Sequence, residues 1–351
     1  MRAVRFYEFG GKPKIEEIAD PVAERDEVVV RVKACQLGGD VLKIMAGTGP
    51  VRGAANYIFP HTPGYRGAGI VDSVNSETSA LKPGDRVVVN GFVHCARSDC
   101  EYCRHAADNL CSNSRMLGID SGSPGALAEK FKAPAYAVFK LPDAVSYTQA
   151  TLFSNLGLLV HALERAAVRP GFTTAIFGCG LVGSCAIPVA RAYGASRIIG
   201  VDVRASTLEF AERCGATDVI SGDDGDASET IRAMTDGRGV DLAIEIVGIN
   251  NTIEQAIRST AKQGVTILLG ALKGVSLSFP DYYKDLIQRE LDLKFCFGKT
   301  RDDFATGLKL AQAGLLDLTA FSFQESKLES IARAIDAARD PNTNDIHVVT
   351  M

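Results

Sequence analysis

The stretch that decides the fold reads Gly178-Cys179-Gly180-Leu181-Val182-Gly183, three glycines in the spacing G-x-G-x-x-G. The strand-like run Thr174–Phe177 precedes it, and a helical pattern of apolar residues follows from Leu181 to Tyr193. A second apolar run ends at Asp202, 19 residues beyond Gly183. A strand, a glycine turn, a helix and a second strand ending in an acid are the context in which this fingerprint binds a dinucleotide.

Each part of the fingerprint has a physical purpose in dinucleotide binding. Gly178 permits the tight turn, Gly180 lets the backbone approach the pyrophosphate, and Gly183 lets helix and sheet pack closely. The first helical turn, which contains Leu181 and Val182, presents unpaired N–H groups and the positive end of the helix dipole to the pyrophosphate. We therefore expect the cofactor at this loop.

The acid that follows the second strand bears on cofactor choice. The Asp202 carboxylate can accept hydrogen bonds from both hydroxyls of the adenosine ribose, and it would repel a 2′-phosphate. The sequence therefore predicts NAD(H) rather than NADP(H). Arg204, two residues further on, is the one feature against this preference, since its charge offsets part of the repulsion.

Outward from this loop, short apolar runs alternate with helix-length amphipathic stretches from about residue 146 to about residue 284. This alternation predicts βαβ units and a parallel sheet with helices on both faces. Up to about residue 145, short strands are separated by turns such as Pro83-Gly84-Asp85, a pattern typical of a compact, mostly β unit. The 351 residues are enough for two such domains.

The composition restricts the partners and the compartment. The net charge is −4 and no long run of Lys or Arg occurs, which argues against a nucleic acid or an anionic membrane as the main partner. No apolar stretch approaches the ~20 residues that span a bilayer, and the N-terminus lacks the apolar segment of a signal peptide. We expect a cytoplasmic protein that acts on a small molecule.

Four of the nine cysteines lie within 17 residues, at Cys95, Cys100, Cys103 and Cys111. In a reducing compartment such clustering indicates a metal before a disulfide. Four thiolates around one zinc ion leave no open position, so the site would be structural. A loop of free thiols and a redox switch are the alternatives.

With these motifs in place, the whole chain resembles the medium-chain dehydrogenase/reductase superfamily, specifically its zinc-containing alcohol dehydrogenase branch. The resemblance rests on the cysteine cluster, the glycine loop and three further segments, Gly67-Ala68-Gly69, Pro83-Gly84-Asp85-Arg86-Val87 and Val240–Gly248. It implies an α/β protein with two domains. A mostly β, GroES-like catalytic domain comprises residues 1–149 and 286–351. A Rossmann NAD-binding domain of residues 150–285, with a doubly wound parallel sheet, is inserted between these two parts.

The resemblance also implies an assembly and a nicotinamide pocket. Family members pair through their cofactor domains, so we expect a homodimer or a homotetramer. The ends of two later strands would line the nicotinamide pocket, at Val247, Gly248, Leu269 and Gly270.

The chain departs from the family at the catalytic zinc. Family members hold this ion with a Cys, a His-Glu pair and a second Cys or Asp. Here Leu37 falls at the first ligand position, the pair reads Tyr65-Arg66, and Asn155 stands at the last position. Leucine cannot bind zinc, and the other three side chains are poor ligands. We expect no catalytic zinc. The alternative is an alignment with one gap, in which Cys35 would occupy the first ligand position.

The cysteine cluster also departs from the family's structural lobe. Four residues, where the family has two, separate Cys95 from Cys100, and Arg97 stands where the first thiolate is expected. A loop would have to bring Cys95 to the metal.

Loss of the metal would remove the Lewis acid that stabilises charge on the carbonyl oxygen. Tyr65 is the first candidate to replace it, as a general acid. Arg66 would lower the pKa of Tyr65 or bind an anionic group of the substrate. Asp40 is a partner for Arg66, and Asn155 is a hydrogen-bond donor to the substrate oxygen. The alternative is that Tyr65 and Arg66 only fill the vacated pocket.

Three functions are compatible with these residues. The first is zinc-independent hydride transfer between NAD(H) and an alcohol/carbonyl pair. The second is 1,4-reduction of an activated alkene, in which the oxygen needs only a hydrogen-bond donor. The third is NAD(H) binding without turnover, in a sensor or a scaffold.

Overall fold

The computed structural model describes residues 1–48, 57–270, 274–279, 281–340 and 344–351. Its strands, in chain order, are β1 Arg2–Arg5, β2 Lys14–Glu17, β3 Glu27–Gln36, β4 Gly67–Asn75, β5 Arg86–Val89, β6 Phe92–Val93, β7 Arg115–Met116, β8 Lys130–Pro134, β9 Val138–Lys140, β10 Thr173–Phe177, β11 Arg197–Asp202, β12 Asp218–Ser221, β13 Val240–Glu245, β14 Thr260–Leu268, β15 Asp292–Phe295, β16 Phe323–Lys327 and β17 Ile346–Thr350. Its α-helices are α1 Gly39–Met45, α2 Tyr147–Ala150, α3 Phe153–Ala166, α4 Leu181–Ala192, α5 Ala205–Arg213, α6 Ala227–Ala233, α7 Asn250–Ser259, α8 Tyr282–Asp285, α9 Arg301–Gln312 and α10 Ile331–Ala338.

Two compact units divide the chain. The first comprises Met1–Ser154, Lys299–Gln312 and Phe321–Met351, and the second comprises Asn155–Gly298 and Ala313–Ala320. The second unit extends beyond residue 285, where the sequence placed the end of the cofactor domain. The reason is β15, which pairs in parallel with β14 and so belongs to the cofactor domain's sheet.

The second unit is built on a six-stranded parallel sheet in the order β12-β11-β10-β13-β14-β15. The strand order reverses between β10 and β13, which is the switch point where ligands bind in doubly wound sheets. Buried apolar residues fill these strands, as a sheet covered on both faces requires. The predicted Rossmann fold is confirmed.

The first unit contains a seven-stranded sheet in the order β16-β17-β3-β4-β5-β9, with β8 also paired to β3. Except for the parallel pair β16–β17, these neighbours are antiparallel. In β3, the alternate residues Val28, Val30 and Val32 are buried in the core of this unit. This mostly β architecture confirms the predicted GroES-like domain.

Across the described ranges, the helices are all too short or too polar to cross a membrane.

Candidate functional site

The glycine loop follows β10 and leads into α4. A Cβ on Gly178, whose φ is +91°, would lie 2.6 Å from Val247 Cγ2, and one on Gly183 would lie 1.9 Å from the Gly178 carbonyl oxygen. Packing therefore requires glycine at both positions. At Gly180 the nearest atom to such a Cβ is Nη2 of Arg204, 3.7 Å away. This open space at the N-terminus of α4 fits the pyrophosphate of a dinucleotide.

Asp202 is the last residue of β11, and backbone groups fix its carboxylate. Its Oδ2 accepts a hydrogen bond from Cys179 N–H at 2.9 Å, and its Oδ1 accepts one from Arg204 N–H at 3.0 Å. The Arg204 side chain approaches the same carboxylate, with Nε 3.6 Å from Oδ1. Asp202, which favours NAD(H), and Arg204, whose charge offsets part of that preference, thus form an ion pair.

The two predicted nicotinamide segments are joined by Glu245, a residue that sequence reasoning missed. Glu245 is buried at the end of β13, and its Oε1 accepts hydrogen bonds from the N–H groups of Val247 at 2.9 Å and Gly248 at 2.7 Å. Its carbonyl oxygen accepts from the N–H groups of Leu269 at 2.8 Å and Gly270 at 3.1 Å. The sequence did contain a signal for Glu245, because an acidic residue is unusual within the apolar run of β13.

Asp40, Tyr65 and Arg66 form one hydrogen-bonded cluster in the first unit. The Tyr65 hydroxyl donates to Asp40 Oδ2 at 2.7 Å, and Arg66 Nη2 lies 3.3 Å from each Asp40 oxygen. The guanidinium of Arg66 also lies over the Tyr65 ring, 4.8 Å from its centre. A Cβ on Gly38 would lie 1.8 Å from Arg66 Nη1, so a glycine is needed there for the guanidinium to fit.

The charges in this cluster keep the proton on the tyrosine. Burial raises the pKa of Tyr65, and the Asp40 charge adds to this effect, although Arg66 opposes it. Burial alone would raise the pKa of Asp40, but Arg66 and the Tyr65 hydroxyl outweigh it and the pKa is lowered. The effect of Arg66 is therefore too small to bring the pKa of Tyr65 below its ordinary value, and the cluster does not favour Tyr65 as the group that exchanges a proton with substrate.

Lys299 is the second residue that the sequence did not reveal. It is only 6% exposed, and its Nζ donates a hydrogen bond to Ser154 Oγ at 3.0 Å. The pKa of Lys299 is lowered to about 7, first by burial and then by the Arg66 charge, against the opposing effect of Asp40 and Asp303. The Ser154 hydroxyl also lowers the pKa of Tyr65, and this interaction connects Lys299 to the cluster.

The start of α9 holds Lys299 in place. Thr300 N–H donates to Asp303 Oδ2 at 2.7 Å, and Asp303 N–H donates back to Thr300 Oγ1 at 3.1 Å. This reciprocal pair is a capping box, which fixes the backbone where the helix begins. Lys299 directly precedes it, so its backbone is anchored at a helix N-terminus.

The four cysteines meet in a separate cluster of the first unit, and their sulfur atoms all lie within 4.8 Å of one another. Cys95 Sγ is 3.7 Å from Cys103 Sγ and 3.5 Å from Cys111 Sγ, and Cys100 Sγ is 3.9 Å from Cys111 Sγ. Zinc–sulfur bonds of about 2.3 Å in a tetrahedron place the sulfurs about 3.8 Å apart. The donor set fits one structural zinc ion, with Cys95 as the fourth ligand. Arg97 instead pairs with Asp99 at the surface.

Comparison with known proteins identifies the family. Residues 182–313 match the zinc-binding dehydrogenase family, and residues 24–143 match the alcohol dehydrogenase GroES-like domain. Sorbitol dehydrogenase of Bacillus subtilis is 31% identical over 329 residues, which cover 93% of this chain and 90% of that protein. The chain belongs to the zinc-containing alcohol dehydrogenase branch of the medium-chain dehydrogenase/reductase superfamily.

Other members of this branch match over nearly their whole length. The NAD-dependent alcohol dehydrogenase of Sulfurisphaera tokodaii is 31% identical, with 96% of each chain covered. The crystal structure of 2R,3R-butanediol dehydrogenase from Bacillus subtilis superimposes with a TM-score of 0.86 at 26% identity, covering 100% of this chain and 99% of that one. The chain is thus an NAD-dependent enzyme of the alcohol dehydrogenase type. NAD(P) and zinc are the family's typical cofactors.

Leu37 and Asn155, which the sequence resemblance predicts at the family's catalytic zinc positions, are both buried. Leu37 is buried in the apolar core of the first unit, and Asn155 is buried in α3, as the first residue of the second unit. Cys35 is fully buried, and burial raises the pKa of its thiol to about 12. Within the described ranges, the four-cysteine cluster is the one group of His, Cys, Asp or Glu side chains arranged to surround an ion.

Proposed function

We propose that this dehydrogenase transfers a hydride between NAD(H) and an alcohol/carbonyl pair without a catalytic zinc ion. The observation that carries the proposal is the hydrogen-bonded cluster of Tyr65 and Arg66 with Asp40. It supports the proposal because the sequence resemblance predicts the family's His-Glu zinc ligands at Tyr65 and Arg66. When bound, the nicotinamide cofactor supplies or accepts the hydride. The residues of the first unit would then bind the substrate oxygen and move its proton.

The chemistry of the cluster supports the absence of a catalytic metal. Arginine stays protonated at all ordinary pH values, so Arg66 places a permanent positive charge where the family has a metal ligand. A divalent cation at that place would be repelled by Arg66. The one nearby carboxylate, Asp40, is already shared between Arg66 and the Tyr65 hydroxyl.

Cofactor choice is the second part of the proposal. Asp202 would hold the adenosine ribose hydroxyls, with Leu181 and Val182 in the helix turn that faces the pyrophosphate. The hydrogen bonds from Cys179 and Arg204 support this, because they fix the carboxylate at the end of β11. We propose NAD(H) as the preferred cofactor, since the carboxylate already offsets the Arg204 charge that would attract a 2′-phosphate.

An anionic group on the substrate is the third part. Two nitrogen cations, those of Arg66 and of Lys299 in its protonated form, lie near one half-buried carboxylate, that of Asp40. Relatives named for sorbitol and for butanediol support a small hydroxylated skeleton. We therefore propose a small polyol or hydroxy acid, with a carboxylate or phosphate group near Arg66.

Inhibition by small anions tests the role of Arg66. Carboxylate and phosphonate analogues should bind the Arg66→Ala variant at least tenfold more weakly than the parent, since a charge-assisted contact is lost. Arg31→Ala is the matched control, because Arg31 is exposed on β3 of the same unit. Equal inhibition of the parent and of Arg66→Ala would remove the anionic group from the proposal.

A substrate panel tests the reaction itself. NADH consumption is followed with ketones, aldehydes and enones, and NADH formation with polyols and hydroxy acids. Turnover of carbonyls and alcohols supports the proposal. Turnover of enones alone would mean 1,4-reduction of an alkene instead, and NADH binding without any turnover would refute hydride transfer.

Pairing of cofactor domains is the remaining part. We propose a homodimer or homotetramer formed along β15, the edge strand of the six-stranded sheet. Phe295 in this strand is 71% exposed, and Phe297 beyond it is also exposed. An exposed edge with large apolar side chains invites pairing. Phe295→Arg should shift the protein to monomers in analytical ultracentrifugation, and an unchanged assembly would contradict this surface.

A further inference from the structure

We propose that the Lys299 amine is the acid–base group that exchanges a proton with the substrate oxygen, and that Ser154, Tyr65 and Asp40 pass this proton to solvent. The assignment rests on the proposed function, because it supplies the proton step of hydride transfer without a catalytic metal. All four side chains belong to the first compact unit.

The hydrogen bonding of Lys299 is the first observation. An ammonium group has three N–H donors, and a buried one ordinarily needs a carboxylate partner. In the described part of the chain, Lys299 Nζ has one hydrogen-bond partner, the neutral Ser154 hydroxyl at 3.0 Å, and no carboxylate lies within ion-pair distance. A lysine held only for stability would be paired. Among the described residues, two N–H groups of the ammonium form have no acceptor, and a substrate oxygen would supply one.

The direction of the hydrogen bonds is the second observation. Lys299 donates to Ser154 Oγ, and Tyr65 Oη donates to Asp40 Oδ2 at 2.7 Å. The Ser154 hydroxyl also lowers the pKa of Tyr65. Because Ser154 Oγ accepts from Lys299 and Tyr65 Oη donates to Asp40, the serine keeps its own proton to donate and the tyrosine oxygen remains able to accept one. These donors and acceptors fit a proton path that runs one way, from Lys299 to Asp40.

The end of this chain opens to water. Lys299, Ser154 and Tyr65 are all buried, whereas the Asp40 side chain is 37% exposed. A proton that arrives at the Asp40 carboxylate can leave to bulk solvent. Because Ser154 and Tyr65 are hydroxyls and Asp40 is a carboxylate, each of the three can accept a proton on one side and release one on the other.

Burial and the charged groups around Lys299 bring the pKa of its amine close to neutral pH. Burial and Arg66 lower the pKa of the amine to about 7, while Asp40 and Asp303 act in the opposite direction. A general acid–base group works best when its pKa lies near the working pH. Lys299 meets this condition and Tyr65 does not, since burial raises the pKa of Tyr65 well above neutrality. Tyr65 is then a positioning and relay residue.

The proton step balances for alcohol oxidation. The neutral Lys299 amine takes the hydroxyl proton, the electron pair of the O–H bond forms the second bond of the carbonyl, and the carbinol C–H bond breaks as hydride leaves to the oxidised cofactor. The proton on Lys299 moves to Ser154, the serine proton to Tyr65 and the tyrosine proton to Asp40. Alcohol and NAD⁺ thus yield carbonyl, NADH and one proton released to water. Reduction runs the same steps in reverse.

Steady-state pH profiles of Lys299→Met test the assignment. In the parent, kcat/KM for alcohol oxidation should rise with pH to a plateau above an apparent pKa near 7. In Lys299→Met we expect a loss of about 10²- to 10⁴-fold and no limb near pH 7. Lys309→Met is the matched control, because Lys309 is exposed on α9, and its profile should equal that of the parent. Added primary amines should restore turnover to Lys299→Ala.

A readout independent of turnover is the titration of Lys299 itself. In protein with ¹³Cε-labelled lysine, the signal missing from Lys299→Met should titrate near pH 7, well below the ordinary value of 10.5. Titration near 10.5, or a Lys299→Met variant that keeps the parent's rate and pH profile, would overturn the assignment and leave the proposed function intact. A parent without turnover on any alcohol or carbonyl would overturn both.

Discussion

Replacing Lys299 by methionine is expected to stabilise the fold while it removes activity. Methionine has a similar length and no charge, so it fills the same buried space without the cost of desolvating an amine. Sites that sacrifice stability for function show this opposite response. The size of the gain follows from the difference between the pKa of Lys299 in the folded protein and in the unfolded chain.

The sign and the pH window follow from proton linkage. The unfolded chain holds the lysine proton up to its ordinary pKa of 10.5, whereas the folded protein releases it at about 7. Burial of this lysine therefore destabilises the fold increasingly as the pH falls from 10.5 to 7, and by a constant amount below that. The penalty is about 4 kcal/mol at pH 7 and about 2 kcal/mol at pH 9.

Lys299→Met should recover at most this penalty, because it also loses the hydrogen bond to Ser154. Urea denaturation followed by circular dichroism, at pH 7 and pH 9 with constant free zinc, measures the gain. The control Lys309→Met should show no such pH dependence, since Lys309 is exposed. A Lys299→Met variant less stable than the parent at pH 7, or a difference independent of pH, would refute the view of Lys299 as a desolvated amine.

Three further substitutions have expected outcomes of their own. Asp202→Asn removes the charge that faces the ribose, so kcat/KM should fall about tenfold with NADH and rise with NADPH in steady-state assays; an unchanged preference would contradict the role of Asp202. Gly183→Ala places a Cβ 1.9 Å from the Gly178 carbonyl oxygen, so α4 must move away from β10. Fluorescence titration should then show that NADH binds at least about tenfold more weakly. An affinity equal to that of the parent would show that this close packing is not needed. Tyr65→Phe removes the hydroxyl that donates to Asp40. We expect kcat to fall about tenfold and the solvent isotope effect on kcat to change. If both quantities stay the same, Tyr65 lies outside the proton path.

The fold was predictable because its signals are local. The G-x-G-x-x-G loop lies between one strand and one helix, and the alternation of strands and helices from about residue 146 requires a parallel sheet. The end of the cofactor domain was harder to predict. Strand β15 alternates charged and apolar residues, as Asp292-Leu293-Lys294-Phe295, so it does not resemble a buried parallel strand. Its position at the edge of the sheet explains this pattern.

The site was predictable only in part because its members are distant in sequence. Motif comparison pointed to Tyr65, Arg66 and Asp40, and the structure brings these three side chains together. Lys299 carries no motif, and its proximity to Ser154 arises only when α9 packs in the first unit. Whether Tyr65 could act as an acid depended on burial and on its neighbours, which the residue types alone do not specify.

The spacing of the cysteines did not show whether Cys95 reaches the other three sulfur atoms. Four residues between Cys95 and Cys100 depart from the family's lobe, and a sequence cannot say how a loop will turn. The structure brings Cys95 Sγ within 3.5 Å of Cys111 Sγ, which completes the set of four sulfurs.

The zinc content of the active enzyme tests the central claim most directly. Elemental analysis of purified, catalytically active protein should give one zinc ion per chain, and Cys103→Ser should lose it, because the four cysteines are the structural site. Two zinc ions per chain, with one retained in Cys103→Ser and required for turnover, would contradict the account and return catalysis to a metal at the substrate site.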